Sequence, residues 1–190
     1  MEIEETSLAG ALLIKPNVFA DDRGFFCETF RAEALAERGV TEAFVQDNHS
    51  RSSLGVVRGL HFAIGAGSSK LVRCGRGKIW DVIVDLREGS PSYGRWEGFE
   101  LSDSNMQVLY VPVGFAHGFC VLSDVADVIY KQSDYFSSEV ERGIAWDDPE
   151  VGVVWPLPLE QLVVSERDSS APKLSDIADS LPCKFGCAKS

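Results

Sequence analysis

The chain has 190 residues, 45% hydrophobic and 25% charged, the make-up of one globular domain whose core is large enough to do without disulfide staples. Twenty-nine acidic residues against 18 basic ones leave a net charge of −11, which argues against nucleic-acid binding as the main activity; an anionic ligand would need a local concentration of arginines. No apolar run approaches the roughly 20 residues of a membrane helix, and the acidic N-terminus lacks the cationic-then-apolar plan of a signal peptide, so a cytoplasmic location is expected.

Short β-rich runs open at residues 11–14 and 25–30. Residues 31–38 are rich in helix formers and lead into Gly39, where a left-handed C-terminal cap would sit, so a short helix is expected there. Further β-rich runs follow at 71–73, 79–86, 108–111, 118–122 and 125–131, separated by Gly, Pro, Asn, Asp and Ser clusters. In 79–86 a period of two puts Trp80, Val82, Val84 and Leu86 on one face and Asp81 and Asp85 on the other, which predicts a half-buried strand. Residues 89–94 supply the next turn, and a second short helix is expected around 174–181, ended by Pro182. Many short strands with turn signals point to an all-β sandwich or barrel. The expected organisation is a single domain over 1–182 and a flexible C-terminal tail over 183–190, where hydrophobic patterning fades.

Cysteines at 27, 74, 120, 183 and 187 are odd in number and mostly lie in strand-like surroundings, which suits reduced thiols. Cys183 and Cys187 lack the second Cys or His pair that a structural zinc site needs. The three histidines, His49, His61 and His117, all lie in segments dense in Asn, Arg, Gly or Pro. Pro112-x-Gly114-x-x-His117 resembles the second signature of the cupin superfamily, in which the histidine would bind a metal. The first signature would add His-x-His, and His61-Phe62-Ala63 offers one histidine, so a catalytic metal is not expected.

A longer series of motifs is more specific. Phe19-x-Asp21-x-Arg23-Gly24-x-Phe26-x-Glu28, Gln46-Asp47-Asn48-His49-Ser50, Val57-Arg58-Gly59-Leu60-His61 and Lys70-Leu71-Val72-Arg73 are followed by Gly114-Phe115-Ala116-His117-Gly118-Phe119, Tyr130-Lys131 and Ser165-x-x-Asp168. In this order they resemble the dTDP-4-dehydrorhamnose 3,5-epimerase family over roughly residues 19–172. The resemblance implies a cupin-type double-stranded β-helix, or jelly roll, with a few short peripheral helices. It also implies epimerisation of a nucleotide-linked 4-keto-6-deoxyhexose at carbons next to the ketone, without a metal or redox cofactor. C3 and C5 are both alpha to the C4 carbonyl, so their protons become removable once a base is near and the enolate oxygen meets positive charge.

By the same resemblance His61 is the base, Asp168 its partner, Lys70 the cation at the C4 oxygen and Tyr130 the acid on the opposite face. Arg23, Glu28, Gln46, Asn48, Arg58, His117, Glu141 and Arg167 match substrate-contact positions, the arginines suiting diphosphate oxygens. A homodimer is implied, with the N-terminal strand region exchanged. Epimerisation of both carbons of the dTDP sugar is the favoured reading; action at C3 or C5 alone, or on a sugar carried by another nucleotide, would use the same residues. A non-catalytic sugar-nucleotide-binding cupin would be expected to lack His61 or Asp168, and both are present. The chain departs from the family pattern at Ala63, where a glutamine is frequent, in the short loop 64–69, at Phe136 and at Ser138.

Overall fold

Short runs rich in apolar residues generate most of the strands, and the computed structural model describes residues 1–181 and 183–186. In chain order the strands are β1 (Glu2–Glu5), β2 (Leu12–Lys15), β3 (Val18–Asp21), β4 (Gly24–Cys27), β5 (Gln46–Ser53), β6 (Val56–Ala63) and β7 (Lys70–Arg76). They continue as β8 (Lys78–Asp85), β9 (Trp96–Ser102), β10 (Val108–Val111), β11 (Phe115–Val121), β12 (Val125–Gln132), β13 (Glu141–Gly143) and β14 (Val163–Val164). The helices are short: α1 (Ala32–Ala36), α2 (Glu166–Ser169) and 3-10 turns at Leu159–Gln161 and Leu174–Ser180.

One sheet runs β1-β2-β10-β7-β12-β5 and the other β13-β6-β11-β8-β9, with β14 pairing parallel to β6. Among the described residues every other pairing between these strands is antiparallel, and neighbours are mostly distant in sequence, so the chain crosses repeatedly between the sheets as a jelly roll does. Val72, Leu109 and Val128 from the first sheet meet Ile79, Ile83, Leu101 and Phe119 from the second in a shared buried core. Each fully buried Leu, Ile or Val in such a core contributes about 1.5–3 kcal/mol relative to exposure. The outer face of the second sheet is covered in turn by the C-terminal third, where Ile144, Val151, Trp155 and Leu174 pack on Val57, Val82, Val84 and Leu86.

That second cover corrects the expectation for β8. Its strand period is as expected, but both faces are buried, and Asp81 and Asp85 have no exposed surface. The inner-face aspartates are satisfied inside: Asp85 accepts from Arg87, Ser90 and Ser92 at 2.6–3.0 Å, and Asp81 meets His117. Alternation alone cannot separate a polar residue facing water from one facing a buried partner.

The helix expected at 31–38 is shorter, and Gly39 (φ +83°) closes it as foreseen: its amide bonds to Ala36 and that of Val40 to Leu35, a Schellman arrangement. Strand β4 covers the first part of the 25–30 run and pairs only with β3, in a hairpin apart from both sheets that leaves Phe19, Phe25 and Phe26 exposed. The helix expected at 174–181 is a 3-10 turn. Of the expected tail, residues 183–186 lie against the end of β8: Glu88 donates to the Cys183 carbonyl and accepts from the Phe185 amide, and the Arg87 guanidinium sits 4.4 Å from the Phe115 ring and 4.9 Å from that of Phe185. Residues 187–190 lie outside the described residues, as does Pro182.

One close approach positions everything that follows. Strands β6 and β11 meet at Gly59 and Gly118, where a Cβ on Gly59 would lie 2.5 Å from Gly118 Cα and 2.8 Å from the His117 carbonyl oxygen. Gly59 also has φ +128°, a conformation side chains rarely adopt. Gly59→Ala is therefore expected to destabilise the protein by roughly 2–4 kcal/mol. Urea unfolding at neutral pH measures this, and a loss below about 0.5 kcal/mol, the range of neutral surface substitutions, would contradict it.

Candidate active site

Between the two sheets a cavity of about 520 Å³ is walled by residues from seven strands and α2. On β6 the inward positions include His61; on β11, its direct cross-strand neighbour is His117. From the opposite sheet, β7 contributes Lys70 and β12 contributes Tyr130 and Gln132. Val72 pairs with Tyr130 and Lys70 with Gln132, so the period of two puts these polar groups on the face that carries the core.

Asp168 reaches this site from α2, whose Ser165 caps the helix by accepting the Asp168 amide at 3.1 Å. Its carboxylate, 5% exposed, accepts from the Gly59 amide at 3.2 Å and lies 2.7 Å from His61 Nε2. Burial pushes the Asp168 carboxyl upward, but the bonds from His61, Gly59 and Ser165 outweigh it and hold the group below the ordinary value of 3.8. An ionised Asp168 makes His61 Nε2 the protonated nitrogen of a neutral ring, and Nδ1 keeps its lone pair.

His117 repeats the pattern in drier surroundings. Its Nε2 lies 3.0 Å from both oxygens of Asp81, and the imidazole is pushed down by burial despite that carboxylate. Burial likewise lowers the Lys70 ammonium, with Glu141 and then Asp81 opposing. Lys70 Nζ lies 5.9 Å from the centre of the Tyr130 ring. Burial raises Tyr130, as does Glu141, so the phenol stays protonated at neutral pH and can donate.

Eight of the residues singled out in the sequence wall this one cavity: His61, Lys70, Tyr130 and Asp168, together with Arg58, His117, Glu141 and Arg167. Arg58 donates to Ser52 at 3.1 Å, and Arg167 pairs with Glu141 at 2.8 Å. Gln46 and Asn48 stand beside the cavity and form an amide ladder with Gln132, Asn48 donating to it at 2.8 Å. Gln46 also accepts from the Phe136 amide at 2.9 Å and so fixes part of the rim. Arg23 and Glu28 are not brought to the cavity of their own chain. Arg23 lies exposed on the β3–β4 hairpin, paired with Asp21, and Glu28 is held by Arg31 at 2.7–2.8 Å.

Asp81 and Gln132 are given no role by the sequence. Asp81 alternates with apolar neighbours and therefore looks solvent-facing, whereas Gln132 carries a usable signal, since it lies two residues after Tyr130 on the same strand face. Among the described residues no three His, Cys, Asp or Glu side chains converge as metal ligands.

A carboxylate-backed imidazole on one sheet and a phenol on the other give a cavity able to take a proton from one side of a small ring and return it from the other, with a lysine between. The scaffold is a cupin-like double-stranded β-helix, and the chain is an enzyme of the isomerase class. It belongs to the dTDP-4-dehydrorhamnose 3,5-epimerase family, whose profile matches residues 5–176. Among curated relatives, the dTDP-4-dehydrorhamnose 3,5-epimerase of Neisseria gonorrhoeae is 51% identical over 83% of this chain, which spans about half (48%) of that protein. The Pseudomonas aeruginosa enzyme of the same name is 45% identical over 96% of this chain and 100% of its own length. The crystal structure of dTDP-6-deoxy-D-glucose-3,5-epimerase from Legionella pneumophila, in complex with dTDP-4-keto-L-rhamnose, superposes with a TM-score of 0.93 at 43% identity, covering 98% of this chain and 99% of that one.

The Asp168 pairing has a measurable pH signature. A carboxyl held below its unfolded value stabilises the fold above that value, and the contribution is lost as pH falls through the folded pKa. The stability difference between the wild type and Asp168→Asn should thus shrink as pH drops below 3.8. Urea midpoints across this range test it; a difference that stays constant into the acid range would contradict the pairing.

Proposed function

We propose that the chain converts dTDP-4-dehydro-6-deoxy-D-glucose into dTDP-4-dehydro-L-rhamnose by epimerising C3 and C5. The observation that carries the mechanism is the location of His61 and Tyr130 on facing sheets, which stand about 10 Å apart in such sandwiches, room for one sugar ring. His61 Nδ1 takes the proton from a carbon alpha to the ketone, and the bonding pair moves into the C4 carbonyl to give an enolate. Lys70 compensates the charge on the C4 oxygen. As the ketone re-forms, the Tyr130 hydroxyl delivers a proton to the opposite face of the same carbon, inverting it. Return of the proton from His61 to Tyr130 through solvent restores both groups, so the cycle needs neither a redox cofactor nor a metal.

Arg58 and Arg167 supply positive charge for the diphosphate in a chain whose net charge is −11, and Arg167 would leave Glu141 to do so. Arg23 and Glu28 fit the same substrate as contributions from a second copy. Their hairpin exposes Phe19, Phe25 and Phe26, an aromatic surface suited to burial against another protomer, and the assembly proposed is a homodimer. The free thiols of Cys27, Cys74 and Cys120 agree with a reducing compartment, and a cytoplasmic location is proposed.

The division between base and acid is tested by separating exchange from inversion in deuterated water. His61→Ala should lose at least about 10²-fold in both. Tyr130→Phe should still let His61 remove and return protons on its own face, so deuterium enters C3 or C5 with the configuration retained while net inversion falls much further. Equal loss of both rates in Tyr130→Phe would remove the acid role, and exchange at only one carbon in the wild type would make the enzyme a mono-epimerase.

A further inference from the structure

A second, smaller chamber of about 30 Å³ opens beside the base. It shares His61, Lys70, Gln132, Phe136 and Glu141 with the main cavity, and its own apolar wall includes Ala63, Val111, Phe115 and Val140. Ala63 lies two residues beyond His61 on β6, hence on the same strand face, and lines the chamber. Ala63, Ser68 in the short loop and Phe136 are places where the chain leaves its family's pattern, and all three stand on this chamber.

A 4-keto-6-deoxyhexose carries one purely apolar substituent, the methyl group on C5. With the C4 oxygen at Lys70 and a C5 proton within reach of His61, that methyl must lie next to both residues, which is where the chamber opens. A space of about 30 Å³ matches one methyl-sized or water-sized group. We propose that the chamber seats the C5 substituent of the sugar and that Ala63 sets its depth, making Ala63 a specificity-determining residue. The proposal rests on the epimerase reading above.

The test compares two substrates at C3, a carbon both possess. One is dTDP-4-dehydro-6-deoxy-D-glucose; the other is the corresponding dTDP-4-ketopentose, with hydrogen in place of the C5 methyl. Deuterium entry at C3 gives kcat/KM for each. The wild type should favour the methyl sugar by about tenfold, the scale of one methyl in a fitted apolar pocket. Ala63→Val fills the chamber and should bring the ratio to about one, chiefly by slowing the methyl sugar. Ala63→Ser, one heavy atom larger than alanine, should lower it by about threefold and carries the test if the valine variant does not fold. Unchanged affinity for thymidine diphosphate reports an intact site. A wild-type ratio near one, or a ratio near ten in both variants, would overturn the proposal. Failure of the wild type to exchange either sugar would instead remove the epimerase reading, and the proposal with it.

Discussion

The bond of 2.7 Å between His61 and Asp168 joins residues 107 positions apart, and much of the fold serves to make that span. Asp168 sits on a helix of four residues, too short to hold itself, so its cap, the Gly59 amide and the packing of the C-terminal third on the second sheet hold it in place. The Gly59–Gly118 contact belongs to the same requirement: a side chain at either position would push β6 away from β11 and carry His61 with it. The pairing is also selective. An ionised carboxylate at Nε2 fixes which nitrogen carries the proton, and a neutral ring in that tautomer can accept a second one at Nδ1.

Burial tunes the surrounding groups in the same direction. The chain as a whole is strongly acidic, yet the walls of the cavity combine Lys70, Arg58 and Arg167 with only a few carboxylates, each of which has a partner. Low polarisability around Lys70 and His117 weakens their hold on protons, and around Tyr130 it strengthens the phenol's. A lysine desolvated before substrate arrives gains more from a developing enolate than one bathed in water. The two histidines, neighbours across β6 and β11, are separated in role by exposure and by which aspartate backs them.

The strands rich in apolar residues, such as β8, β10 and β12, are legible in the sequence, and so is the helix closed by Gly39. Strand β5 is not: Gln46–Ser53 contains no apolar residue, because it is an edge strand whose inward face meets the amide ladder and the cavity wall instead of the core. Strand β6 is interrupted by Gly59 and His61, so its period is obscured at the cavity itself. His61, Asp168, Lys70 and Tyr130 are legible through motif order, and the structure brings them to one cavity. Arg23 and Glu28 match the same motif series, but nothing in a single sequence says that their hairpin would stand clear of its own chain's site.

The most direct measurement is long-range ¹H–¹⁵N NMR of the ring nitrogens in histidine-labelled protein, where the sequence supplies only three rings to assign. The account predicts that His61 in the neutral state is protonated at Nε2, with an unprotonated Nδ1, and that Asp168→Asn weakens this preference. A dominant Nδ1–H tautomer of His61 in the wild type would contradict it, since the nitrogen facing the sugar would then have no lone pair with which to take a proton.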